Sequence, residues 1–163
     1  EILALARLVL ILDRGKQLAL DHPRKVLGQP GVVSAEDVET LENIFDVEVQ
    51  EHRPNNGVSL ARLGDTILAL PHVQAPEGST ISIAIRAADI IIASEKPQGL
   101  SARNLLKARV EAIYPLGPRV LVQATLDQPW LAEITPDALA DMGLKEGQDI
   151  YLVIKSSSIM ALD

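Results

Sequence analysis

Ser101-Ala102-Arg103-Asn104 opens an alternating apolar run, Leu105 to Val110, and Ile154-Lys155-Ser156-Ser157-Ser158-Ile159 stands near the C-terminus. The first segment offers a hydroxyl, a guanidinium and an amide within four residues; the second offers an ammonium and three hydroxyls. Neither contains a carboxylate. Short, cationic, hydroxyl-rich turns at strand ends suit a small oxyanion, which wants several donors and no competing negative charge.

Working outward, both segments belong to an internal repeat. Glu77-Gly78, then Ile85-Arg86, then Ile90-Ile91-Ile92 is matched by Glu146-Gly147, Ile154-Lys155 and Ile159-Met160-Ala161. In each copy a Glu-Gly turn leads into a strand ending in a cation, and a small-residue turn precedes another apolar strand. The entries correspond as well: Asn43-Ile44-Phe45-Asp46-Val47-Glu48-Val49 echoes Asn104-Leu105-Leu106-Lys107-Ala108-Arg109-Val110. Alternating apolar positions mark half-buried strands. Each copy offers about five short strands, which fits a small OB-like Greek-key barrel. The second copy is longer by Thr135 to Gly143, which reads as a capped helical turn ended by glycine. The repeat predicts two modules, 43–96 and 97–163, joined at Pro97-Gln98-Gly99.

The first 42 residues have a different pattern. Residues 1–7 read as the end of a helix; no N-cap precedes them, so the chain reads as cut from something larger. Leu8 to Leu12 is a continuous apolar run, expected as a strand buried on both faces. Asp13-Arg14-Gly15-Lys16 reads as a hairpin turn, with Gln17 to Leu20 as the return strand. Asp21-His22-Pro23 opens a short helix that Gly28 ends. Gln29-Pro30-Gly31 is a linker, and Ser34 caps a helix over Ala35 to Leu41. This predicts an α/β segment over 1–30 and a linker helix over 31–42, ahead of a mainly β remainder.

Ser-Ala-Arg-Asn opening a strand, with Ile-Lys-Ser-Ser closing the same repeat, resembles the Mop (TOBE-like) molybdate-binding module. The whole chain resembles the C-terminal part of the ATP-binding subunit of a molybdate ABC importer, residues 1–30 being similar to the tail of its nucleotide-binding domain. The resemblance implies two OB-like Mop/TOBE barrels behind a short α/β tail. It implies molybdate or tungstate as ligand, held where the Ser-Ala-Arg and Lys-Ser segments meet across an interface between modules. The implied site residues are Ser101, Ala102, Arg103, Asn104, Lys155, Ser156 and Ser157, with Asn104 holding the turn. It further implies a homodimer that works with the permease subunits at the inner face of the membrane, in the cytoplasm. ATP and magnesium would bind upstream: Gly-x-x-x-x-Gly-Lys-Ser/Thr does not occur in these 163 residues, so this chain is expected not to hydrolyse ATP. Two other readings share the barrel: a regulatory TOBE domain of another importer that binds a regulator protein, and a stand-alone molybdate store.

The chemistry of a tetrahedral dianion agrees. It presents only acceptor oxygens, and each must meet a donor when it leaves water. Ser101 has a hydroxyl, the backbone at Ala102 and Arg103 can form an N–H nest, and Lys155 adds a point charge. The first copy departs from the pattern. Glu42 stands where the second copy has Arg103, and Arg86-Ala87-Ala88 lacks the hydroxyls. A site relying on the first copy alone should be weak or absent.

Composition excludes other classes. Net charge is −7, with no basic stretch of the kind a nucleic-acid binder carries. Phe45, Tyr114, Trp130 and Tyr151 are the only aromatic residues besides histidine, too few for base-stacking platforms. There is no cysteine, hence no disulfide framework or thiolate metal site. No metal site and no catalytic Ser/His/Asp set is legible. His22, His52 and His72 lie far apart and read as residues of solvated turns.

Overall fold

The computed structural model describes residues 9–13, 15–21 and 41–162. The helices expected over 1–7, after Pro23 and over Ala35 to Leu41, and the linker at 29–31, lie outside the described residues, except for Leu41.

Strands β1 (Val9–Asp13) and β2 (Lys16–Asp21) form an antiparallel hairpin. Gly15 turns it at φ 79, a left-handed conformation that costs an L side chain about 1–2 kcal/mol. The expectation that this apolar run is buried on both faces is corrected at one position. Leu10 is 50% exposed beside its cross-strand partner Leu20 at 52%, because the described hairpin is two-stranded.

The rest is two five-stranded antiparallel sheets. The first repeat supplies β3 (Glu42–Arg53), β4 (Val58–Leu63), β5 (Thr66–Pro71), β6 (Thr80–Arg86) and β7 (Ile91–Ala93). The second supplies β8 (Asn104–Leu116), β9 (Arg119–Thr125), β10 (Pro129–Ile134), β11 (Asp149–Ile154) and β12 (Ile159–Leu162), with one helix, α1 (Pro136–Met142), between β10 and β11. Thr135 caps α1 through the Ala138 N–H, and Gly143 ends it at φ 57.

The strand orders are β5-β4-β3-β6-β12 and β10-β9-β8-β11-β7. The strands after Glu77-Gly78 and Glu146-Gly147 therefore hold the same topological place, as the repeat requires. Each long first strand has a register shift just after Val49 or Val110. At that point the valine carbonyl accepts from the turn glycine, Gly78 N–H at 2.7 Å and Gly147 N–H at 2.8 Å.

The fifth strand of each sheet is exchanged. β7 leaves the first repeat to pair with β11, and β12 leaves the second to pair with β6. The main apolar core spans both repeats, running from Phe45 and Leu68 through Trp130 to Ile150 and Ile159, beside a small cluster of Ala87, Leu121 and Leu131. Phe45 and Trp130, one from each repeat, pack with ring centroids 4.5 Å apart. Trp130 is 1% exposed and its indole is core.

Two asparagines fasten the exchange at equivalent places. Asn43 donates to Leu131 O at 2.8 Å and to Ile85 O at 3.2 Å, and accepts from Leu131 N–H at 2.7 Å. Asn104 donates to Ala69 O at 3.1 Å and to Ile154 O at 3.2 Å, and accepts from Ala69 N–H at 2.7 Å. Each amide thus ties a strand of its own repeat to a strand of the other.

Candidate functional site

The approach to β8 and the end of β11 lie side by side because Ile154 pairs with Asn104. Ser101 and Ala102 precede that pair, and Lys155 follows it. Together with Ser158 they line a cleft of about 300 Å³. Residues 53 positions apart, Ala102 and Lys155, therefore meet at one place.

Three further lining residues, Ala88, Asp89 and Ile91, come from the first repeat. They arrive through the exchange: Ile91 opens β7 and pairs with Val153 of β11. Leu100 and Val153 complete an apolar floor and rim. The cleft is thus built by both repeats. Sequence reasoning missed Asp89 and Ile91 because only strand pairing reveals which barrel β7 enters, and from the serine run it named Ser156 and Ser157 but not Ser158, the one that lines the cleft.

The remaining sequence-predicted residues do not line the cleft. Arg103 is exposed, one residue beyond the lining, and among the described residues makes no ion pair. Asn104 is buried with both side-chain N–H donors spent on carbonyls, so its amide has none left for an anion. Ser157 is exposed. Ser156 sits in the short 3-10 turn Ser156–Ser158, which packs on β5, and its buried Oγ has no hydrogen-bond partner. The equivalent turn of the first repeat, Ala87–Asp89, puts the buried methyl of Ala87 there.

Lys155 is exposed and, among the described residues, has no carboxylate within ion-pair distance. A second cleft, about 490 Å³, holds Lys107, Arg109, Asp65, Asp127 and Asp149. There the cations are neutralised: Asp149 Oδ2 lies 3.0 Å from Lys107 Nζ, and Oδ1 lies 3.1 Å from Arg109 Nε. The Lys107 hydrogen bond, then that of Arg109, holds the Asp149 carboxyl below its ordinary value, and Asp149 in turn pushes the Lys107 ammonium up. Three carboxylates and two already paired cations make poor ground for an anion, whereas the first cleft offers an unpaired ammonium and two hydroxyls against a single carboxylate, Asp89.

The histidines are not all in solvated turns. His52 lies in β3 and His72 just past β5, with rings 5.3 Å apart and edge-on. The wholly buried Ser59 hydroxyl sits between them, 2.9 Å from His52 Nδ1 and 3.4 Å from His72 Nδ1. Antiparallel pairing of β3 with β4 and β4 with β5 gathers them, which sequence separation conceals. His22 is outside the described residues. Among the described residues no cluster of three or more His, Cys, Asp and Glu could hold a metal ion, and no helix is long and apolar enough to cross a membrane.

Residues 100–161 match the TOBE domain family. Over 159 residues, 97% of its length, the chain is 35% identical to the molybdenum import ATP-binding protein ModC of Yersinia pseudotuberculosis serotype I (strain IP32953), of which it spans 44%. It is 31% identical to the ModC of Vibrio vulnificus (strain YJ016), matching over all of the chain and 46% of that protein. The chain therefore spans less than half the length of these relatives. In structure it resembles the cytoplasmic molybdate-binding protein ModG, solved with molybdate bound. That match has a TM-score of 0.64 and 24% identity, and covers 73% of this chain and 94% of that one. At that identity the likeness establishes the fold, two OB-like barrels.

Proposed function

We propose that this chain, whose residues 100–161 are a TOBE domain, is the oxyanion-binding, regulatory portion of the ATP-binding subunit of a molybdate importer. One observation carries the reading: Ser101, Ala102 and Lys155, singled out by a sequence motif in two distant segments, line one cleft. The similarity to ModC proteins over nearly the whole chain supports it.

In this reading a molybdate or tungstate dianion sits against Lys155, which supplies the charge. The Ser101 and Ser158 hydroxyls and the backbone N–H groups at Ala102 and Arg103 meet its oxygens. Asn104 keeps the strand in place behind them. Arg103, solvated at the rim, adds a weaker long-range attraction. ATP and magnesium belong to an upstream nucleotide-binding domain, and the assembled protein acts as a homodimer with permease subunits at the cytoplasmic face of the membrane.

Titration with sodium molybdate by calorimetry tests the reading. Hydrogen bonds to charged groups are worth about 1.5–3 kcal/mol, and each 1.4 kcal/mol is a decade. Lys155→Gln should therefore weaken binding roughly tenfold to a hundredfold, while Arg53→Ala, at the end of β3 and outside the cleft lining, should leave it unchanged. Equal affinities in all three proteins would place the site elsewhere. No heat of binding in any of them would favour a domain that recognises a regulator protein.

A further inference from the structure

We propose that Asp89 is a specificity-determining residue of the Ser101–Lys155 cleft: its carboxylate weakens the hold on an oxyanion that carries no proton and spares one that does. The inference rests on the oxyanion reading of that cleft.

The two signature segments contain no carboxylate, but the folded cleft does. Asp89 ends the short turn Ala87–Asp89 at the mouth of β7, and the strand exchange carries it to the wall shared with Lys155 and Ser158. The repeat shows how unusual this side chain is for its place. Lys155 and Arg86 are equivalent, each followed by a three-residue turn, so Asp89 stands where the second repeat has Ser158. One copy puts a hydroxyl donor on the cleft and the other puts an anion there. Asp89 is exposed, and among the described residues no hydrogen bond or ion pair engages its carboxylate. The fold therefore does not need it as a partner for any neighbour.

A carboxylate only accepts hydrogen bonds. Facing molybdate, whose oxygens also only accept, it repels and donates nothing. Facing phosphate, which keeps at least one proton at neutral pH, it can accept that proton and recover part of the repulsion. Lys155 and Asp89 thus work against each other on a fully deprotonated dianion.

The test is calorimetric titration of the full chain, at neutral pH and low salt, with sodium molybdate and separately with inorganic phosphate. The proteins are wild type, Asp89→Asn, Asp89→Ser and Lys155→Gln. Asp89→Asn keeps the shape and removes the charge, and Asp89→Ser installs the hydroxyl of the equivalent turn. Both should tighten molybdate by about tenfold, the scale of one unit charge acting on a dianion across a solvated cleft. The gain should be severalfold smaller for phosphate and should shrink as salt is raised. A change in local structure alone would shift both anions alike and ignore salt. If Lys155→Gln loses molybdate but both Asp89 variants match wild type or bind more weakly, the Asp89 inference is wrong and the cleft reading stands. If Lys155→Gln changes nothing, or no protein binds molybdate, the cleft reading has failed and this inference fails with it.

Discussion

Asn43 and Asn104 show how much a single buried amide can be asked to do. Each makes three hydrogen bonds to main chain, two of them to a strand of the other repeat. Removing such a side chain leaves buried N–H and C=O groups without partners, at roughly 1–3 kcal/mol for an unsatisfied group. Asn43→Ala and Asn104→Ala should each cost about 2–4 kcal/mol in urea unfolding, large for a point substitution. An effect below about 1 kcal/mol would mean that these amides do not fasten the exchange. Ser156 is the opposite case, since its buried hydroxyl has no partner and its twin is Ala87. Ser156→Ala should be neutral or stabilising by up to about 1 kcal/mol and leave molybdate affinity unchanged, because Ser156 does not line the cleft. A clear loss of affinity would return Ser156 to the site. Asp149 carries the pH prediction. Its folded pKa is depressed, so its contribution to stability is present above the ordinary carboxylate range and is lost as pH falls through the folded value. Lys107→Ala should move the Asp149 titration, followed by NMR, back up toward the ordinary value.

At the scale of elements, the turn into β6 and the turn into β11 are the same device used twice. Gly78 has φ 83 and Gly147 has φ 81, and a Cβ at either would meet nothing within 4 Å. The cost of alanine there is purely conformational, about 1–2 kcal/mol for a left-handed L residue. Gly78→Ala and Gly147→Ala should therefore destabilise by equal amounts in chemical denaturation. A difference greater than about 1 kcal/mol would show that the two repeats hold their turns differently.

At the scale of the molecule, the strand exchange decides stability. β6 has β12 as one neighbour and β11 has β7, each from the other repeat. Ending the chain after Ser158 removes β12 and opens one edge of β6. Hydrogen exchange should then speed up in Thr80–Arg86 before it does in Asp149–Ile154. Because one core spans both repeats, the intact chain should unfold in a single cooperative transition, and residues 41–96 or 101–162 expressed alone should not fold. Independent folding of either piece would contradict the shared core.

Much of this was legible in the residues. Period-two alternation located the strands, Glu-Gly pairs located the turns, and self-similarity revealed two equivalent barrels, since each is a local consequence of side-chain size, polarity and backbone freedom. The motif pair also identified Ser101, Ala102 and Lys155 as neighbours, because the ends of paired strands must meet. What the linear order could not supply was which sheet receives β7 and β12. Both choices satisfy the same alternation, and the selection comes from packing Phe45 on Trp130 and from satisfying two buried asparagines across the repeats. That choice brought Asp89 into the cleft, while the pairing of β3, β4 and β5 within the first repeat gathered His52 with His72. Proximity between distant residues is a property of the closed core, not of any stretch of chain.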